Sequence, residues 1–164
     1  SIIDRTDFTD NNYLPELPAN VVPYVGDQTA ITPPCNISIT NTFDEATRQL
    51  DVEIRIDYTS TVTDANNLSI SLIESGIIAA QVDDNVGGEV EDYEHNHVLR
   101  KMLTNFSGTS LPEENIAGRW YIFNYSYTIP ANWNADNMAV VAFVHNIAPE
   151  DKVVLQAAEA HVTE

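Results

Sequence analysis

The 164 residues, 18.2 kDa in all, match one ordinary domain, long enough to bury roughly 70% of the surface the unfolded chain exposes. Apolar residues are 43% and charged residues 20%, as in soluble globular proteins, but 25 Asp and Glu against 7 Lys and Arg leave a net charge of −18 and a pI near 4.2. Such a surface repels phosphate and anionic lipid, which sets aside nucleic acid and membrane-surface binding, and it attracts divalent cations or basic partners.

Residues 1–34 hold five of the eight prolines (Pro15, Pro18, Pro23, Pro33, Pro34) and show no sustained period of 2 or 3.6. They read as an extended, proline-stiffened linker or the tail of an upstream domain, laid on the domain surface through Phe8, Tyr13, Leu14, Leu17 and Tyr24. The start at Ser1, with no basic region followed by an apolar stretch, leads us to expect a processed or excised piece without a signal peptide or lipobox. Cys35 is the single cysteine, so an internal disulfide, a Cys-based zinc site and a CxxC pair are excluded; an inert buried thiol is expected.

Residues 35–164 read as a β-sandwich domain. Ile37 and Ile39 alternate with polar residues, a turn follows at Phe43-Asp-Glu-Ala-Thr47, and residues 50–58 then alternate without error. Leu50, Val52, Ile54, Ile56 and Tyr58 take one face and Asp51, Glu53, Arg55 and Asp57 the other, the pattern of a half-buried strand. Asp64-Ala-Asn-Asn67 turns the chain into a second alternating strand, Leu68-Ser-Ile-Ser-Leu72, which predicts a meander.

Further on, residues 120–128 are rich in aromatic and β-branched types and stop before Pro130. Residues 138–145 are apolar on both faces, as in a covered central strand. The longest apolar run, residues 138–144, is far short of the ~20 residues of a spanning helix. Residues 153–162 mix helix-forming and strand-forming types and are read as a closing strand. Seven or eight such strands predict an all-β, antiparallel β-sandwich, immunoglobulin-like in the first instance and a jelly roll as the alternative.

Nothing in the sequence points to catalysis. A Gly-x-Ser-x-Gly elbow and a phosphate-cradling glycine loop are absent, and a pair of carboxylates is uninformative among 25. The densest acidic stretch, Asp83-Asp-Asn-Val-Gly-Gly-Glu-Val-Glu-Asp-Tyr-Glu94, reads as a solvated loop; Asp83, Asp84 and their neighbours are candidate Ca²⁺ ligands, although the spacing is not that of an EF-hand. Glu94-His95-Asn-His97 is the sharpest local feature. On a strand His95 and His97 would share a face and could ligate Zn²⁺ or another transition metal, with Glu94 as a further ligand. The competing reading makes them two half-buried rings bonded to backbone carbonyls. His145 and His161 read as structural or surface residues, and the sequons at Asn36, Asn67, Asn105 and Asn124 are not taken as evidence of glycosylation.

Five segments carry a resemblance: Leu72-Ile-Glu-Ser-Gly-Ile-Ile-Ala-Ala-Gln81, Tyr93-Glu-His-Asn-His-Val-Leu-Arg100, Trp133-Asn-Ala-Asp-Asn137, Val141-Ala-Phe-Val144 and Val153-Val-Leu-Gln-Ala157. In that order and spacing, over residues 36–162, the chain resembles the C-terminal domain of the outer membrane protein 28-related family, surface and secreted proteins of Bacteroidota. Ser1-Ile-Ile-Asp-Arg-Thr-Asp-Phe8 resembles the end of the thioredoxin-like domain that commonly precedes this module. The resemblance implies an exported β-sandwich at the outer membrane, the cell surface or in the medium, and it brings no catalytic mechanism. It gives His95-Asn-His-Val-Leu-Arg100 no role either; alternation alone puts Arg100 within reach of a carboxylate.

The resulting expectation is a non-enzymatic module serving adhesion, assembly or interaction, with a protein or cell-surface partner. Two alternatives stay open. One is a divalent-metal-binding module with Ca²⁺ or Zn²⁺. The other is a carbohydrate-binding accessory domain using some of Trp120, Tyr121, Tyr125, Tyr127 and Trp133, of which half or more are expected in the core.

Overall fold

The alternation of residues 50–58 is realised as the middle strand of a three-stranded antiparallel sheet in the computed structural model, which describes residues 4–6, 8, 18–83, 86–112, 115–148 and 152–163. Strands β1 (Cys35–Asp44) and β2 (Gln49–Tyr58) form a hairpin, in register from Cys35 opposite Tyr58 to Asp44 opposite Gln49. Its turn is held by the Asp44 carboxylate, which accepts the Ala46 and Thr47 N–H groups at 2.8 and 3.0 Å. Those bonds hold the Asp44 carboxyl below its usual range. Strand β8 (Trp120–Thr128) pairs along the other edge of β2.

The second sheet runs β10 (Val154–His161), β9 (Met138–Asn146), β3 (Asn66–Glu74), β6 (Val98–Met102), with the short β7 (Thr109–Ser110) on the start of β3. Strands β1, β2 and β8 thus oppose β3, β9 and β10, with β6 beyond β3: an all-β sandwich with the strand distribution of an immunoglobulin-like fold. The core is the set of inward side chains, Leu50, Val52, Ile54, Ile56 and Tyr58 against Leu68, Ile70, Leu72, Val140 and Val144. Cys35 joins it, and burial pushes its thiol up to about 11, as expected of an inert residue.

Several expectations need correction. The predicted meander does not form, because both edges of β2 are occupied by β1 and β8; the chain crosses to the other sheet before β3. Strand β3 is buried along its whole length rather than on one face. On its outer face Ser69 sits beneath the loop at Gly108, where a Cβ would lie 3.0 Å from Ser69 Oγ and 2.8 Å from the Leu68 carbonyl oxygen. Finally, the proline-rich lead-in contains helix α1 (Pro18–Thr29) instead of an extended connector. Proline is well suited to the first position, where its missing N–H has no intrahelical partner, and Pro23 is accommodated within the helix.

The N-terminal piece does lie on the domain. Val154 donates its N–H to the Asp4 carbonyl at 2.8 Å, and the Arg5 guanidinium sits 5.1 Å over the Phe143 ring. Phe8 stacks on Tyr24 of α1 at 4.1 Å. Tyr13, Leu14 and Leu17 fall outside the described residues.

Strands β4 (Ile77–Asp83) and β5 (Gly88–His95) are absent from the expected strand list. They form a separate two-stranded ribbon inserted between β3 and β6. Residues 88–94, read as part of an acidic loop, are therefore strand; Asp84 lies outside the described residues.

Candidate functional site

The His-Asn-His segment lies at one end of the sandwich, where β3 leaves for the ribbon and the ribbon returns into β6. Ser75 and Gly76 face Asn96 and His97 across the ribbon base. Gly76 donates its N–H to Asn96 Oδ1 at 2.9 Å, and His97 donates its N–H to Ser75 Oγ at 3.1 Å. Gly76 has φ +71, a left-handed conformation glycine adopts without penalty, and a Cβ there would come 3.2 Å from Asn137 Nδ2. His97 takes the same region at φ +54, despite its side chain.

This geometry corrects the reading of the two histidines. They do not share one strand: His95 ends β5, and His97 stands in the turn before β6. His95 lies opposite Ile77 and contacts the Tyr93 ring edge-on at 4.8 Å. His97 instead lines a cleft of about 550 Å³ together with Glu94, Asp136, Glu159 and His161. Asp83 ends β4 opposite Gly88, at the far tip of the ribbon, about 20 Å along the strand from its base at ~3.3 Å per residue. The candidate ligands are therefore spread over both ribbon faces and both ends. Among the described residues no three His, Cys, Asp or Glu come close enough to hold one metal ion.

A second cleft, about 610 Å³, shares Asp136 and is lined by Phe43, Arg48, Trp133 and Asn134. Its walls are pinned. Arg48 donates to the carbonyls of Ile129, Pro130 and Trp133 at 2.9, 3.1 and 2.9 Å, tying the β1–β2 turn to the β8–β9 connection. Arg100 finds its carboxylate in buried Glu74, with Nε 3.1 Å from Oε2 but without the alignment of a hydrogen bond. Glu74 Oε1 accepts the Asn134 N–H at 3.0 Å. The same guanidinium lies 4.6 Å over the Trp133 ring, and Trp133 stacks with Tyr127. The aromatic candidates are thus engaged: Tyr121, Tyr125, Tyr127 and Trp133 pack against the core, while exposed Trp120 carries Arg55 over its ring at 5.0 Å.

One nucleophile–base pair is formed by residues distant in sequence, since Ser69 Oγ lies 3.0 Å from His145 Nε2. Both are buried in the second sheet. The Asn146 carbonyl, 3.1 Å from Nδ1, can only accept, so Nδ1 carries the proton and Nε2 receives the Ser69 hydroxyl. Desolvation holds the imidazole below its usual pKa and favours this neutral form. The pair satisfies polar groups that the sheet buries.

What the sequence reading missed is the ribbon. Ile78, Val82 and Val86 are 60, 66 and 68% exposed and Tyr93 42%, and both strands pair only with each other among the described residues. The signal was available in Ile77-Ile-Ala-Ala-Gln-Val82, an uncharged strand-like run just before the carboxylates.

A family model described as "Outer membrane protein Omp28" matches residues 5–164. The chain belongs to the Omp28 family. Membership assigns it to the outer membrane or cell surface, as the sequence resemblance implied. Among solved structures it is similar to a domain of the outer membrane lipoprotein Omp28 from Porphyromonas gingivalis, at 17% identity, covering 81% of this chain and 91% of that one with a TM-score of 0.53. At that identity the likeness is one of fold. No curated protein is found to match this Omp28 domain. The described residues contain no helix long and apolar enough to cross a membrane.

Proposed function

We propose that this Omp28 domain is a non-enzymatic interaction module of the cell surface and that the β4–β5 ribbon is the face it offers to a protein partner. The observation carrying this reading is the exposure of Ile78 and Val82 on one face of the ribbon, Tyr93 on the other and Val86 at its tip, on strands that pair only with each other among the described residues. A two-stranded ribbon is marginally stable alone in water, and apolar residues clustered on such an element mark interaction sites more often than scattered surface ones do. The bonds from Gly76 to Asn96 and from His97 to Ser75 hold its base, so the sandwich presents the ribbon at a defined place. The solved relative's description as an outer membrane lipoprotein supports presentation at the membrane surface.

The test uses a photo-crosslinking residue placed singly at Val82, Val86 or Glu53 of the protein displayed on intact cells, Glu53 lying on the exposed face of the three-stranded sheet. Discrete adducts from positions 82 and 86, and none from 53, are the expected result. Equal adducts from all three positions, or none from the ribbon, would overturn the assignment.

A further inference from the structure

The two strands of the ribbon differ in chemistry. Strand β4 offers Ile77-Ile-Ala-Ala-Gln-Val82 without a charge, whereas β5 carries Glu89, Glu91, Asp92 and Glu94. Between Arg55 and Arg100 the chain has no Lys or Arg at all. In an antiparallel pair, residues opposite one another share a face. Ile78 lies opposite Glu94 and Val82 opposite Glu89, so an apolar row on β4 runs beside an acidic row on β5.

Exposed sheet edges are normally guarded by charge, Pro or a bulge. Here the guard is one-sided. Strand β5 has its carboxylates and a register shift, while the other edge of β4 has no strand beside it among the described residues and no charge to guard it over residues 77–82. We infer that the ribbon binds an extended segment of another protein, added as a strand along β4, in which every second residue meets the Ile78–Val82 row and these facing residues are apolar, then Lys or Arg, then apolar again. This rests on the reading of the ribbon as the interaction face, and names what it binds.

Backbone hydrogen bonds to the β4 edge supply the pairing, as in other strand-addition complexes. Apolar residues of the guest pack beside Ile78 and Val82. The basic side chain between them, two positions on and so on the same face, crosses the small Ala80 toward the carboxylates of β5, a gap of about 10 Å, or two strand spacings, which a Lys or Arg stem and a Glu side chain close between them. The net charge of −18 attracts such a guest and disfavours the competing occupant, a second copy of this chain.

The probe is a fluorescent ten-residue peptide repeating Val-Thr-Lys-Thr, so that Val and Lys alternate along one face, titrated against the 164-residue chain by anisotropy. Controls are the same residues with the lysines in one block, and a Val-Glu version. The alternating peptide should bind about tenfold more tightly than the block, showing that the match is one of strand register as well as net charge, and should weaken as salt is raised. The triple charge reversal E89K/E91K/D92K should lower its affinity about tenfold and favour the Val-Glu peptide instead. Val82→Lys, which guards the edge, should weaken both peptides. All four positions are exposed or half-buried on the ribbon, and unchanged thermal unfolding confirms that the sandwich is intact.

Equal binding of the alternating and blocked peptides would overturn the inference. So would indifference to the charge reversal, or a dimer in sedimentation that Val82→Lys dissolves. If any of these occurs while crosslinks still form at positions 82 and 86 on cells, only the identity of the guest is wrong. Loss of the crosslinks as well brings down the interaction reading itself.

Discussion

Strand β2 and the β4–β5 ribbon are built from similar residues but held in different ways. In β2 the inward residues Leu50, Val52, Ile54 and Ile56 are 0–3% exposed, and each is locked between two sheets. In the ribbon, Ile78 and Val82 keep 60 and 66% of their surface in water. Strand geometry is therefore cheap to specify, and burial decides which strands are stable. The sandwich derives its stability from its core, whereas the ribbon relies mainly on its own ladder and on bonds at its base, among them Gly76 to Asn96, His97 to Ser75 and Ser75 to Asn137. It should be the part that opens first.

Deleting core volume and ribbon volume separates the two most widely. Ile54→Ala should cost about 4 kcal/mol, through lost transfer energy and an unrelaxed cavity. Val82→Ala, which removes about two-thirds as much hydrocarbon, should stay within about 0.5 kcal/mol. Denaturant midpoints at unchanged slope would measure both, and comparable losses would mean that the ribbon is packed against something in the native protein.

The junction between the regions comes next. Glu74→Ala removes the partner of Arg100 and the acceptor of the Asn134 N–H, leaving a half-buried guanidinium without its counter-charge. We expect a loss of about 3 kcal/mol. Replacing both partners, as in E74L/R100M, should recover part of it, because an apolar pair leaves no stranded charge.

A smaller effect is expected at the ribbon base. Asn96→Ala removes the acceptor of the Gly76 N–H and should cost about 1 kcal/mol. The loss should appear as faster hydrogen exchange across β4 and β5 with β2 and β9 unaffected. Uniformly faster exchange would instead tie the ribbon to the global unfolding of the sandwich.

How much of this was legible follows from where the information lies. The alternation of residues 50–58 and the two-faced apolar run of 138–145 each encode a strand and its burial within one segment, and both were read correctly. Helix α1 was missed because its prolines read as extended chain; nothing local says that a proline opens the helix or that Phe8 returns to stack on Tyr24. The His-Asn-His motif drew attention to its imidazoles, yet the residue with the clearest structural task is Asn96 between them, whose side chain closes the ribbon base. That task depends on Gly76, twenty residues earlier, and the pairing is invisible until the ribbon exists. Asp136, and Glu159 with His161 on β10, reach the same cleft from two further segments, and no spacing rule relates them to His97.

The buried histidine yields the smallest expected effect and a test of the second sheet alone. His145 is neutral, donates to the Asn146 carbonyl and accepts from Ser69. Desolvation is the main reason its pKa lies below the usual 6.5; the Asn146 carbonyl opposes that shift, and the charges of Arg5 and Lys152 reinforce it. The unfolded chain then takes up the proton at higher pH than the folded one. His145 contributes stability that is fully present above pH 6.5 and is lost as pH falls through its lower folded value. In His145→Gln this part of the pH dependence should vanish, and the carboxylate-driven loss at lower pH, to which Asp44 contributes, should remain. Unfolding titrations from pH 8 to 4 on both proteins would show it as a difference in slope that begins near pH 6.5. Parallel curves would mean that the imidazole is solvated in the native state, and that the N-terminal piece carrying Arg5 covers the outer face of the sheet less closely than its contact with Phe143 implies.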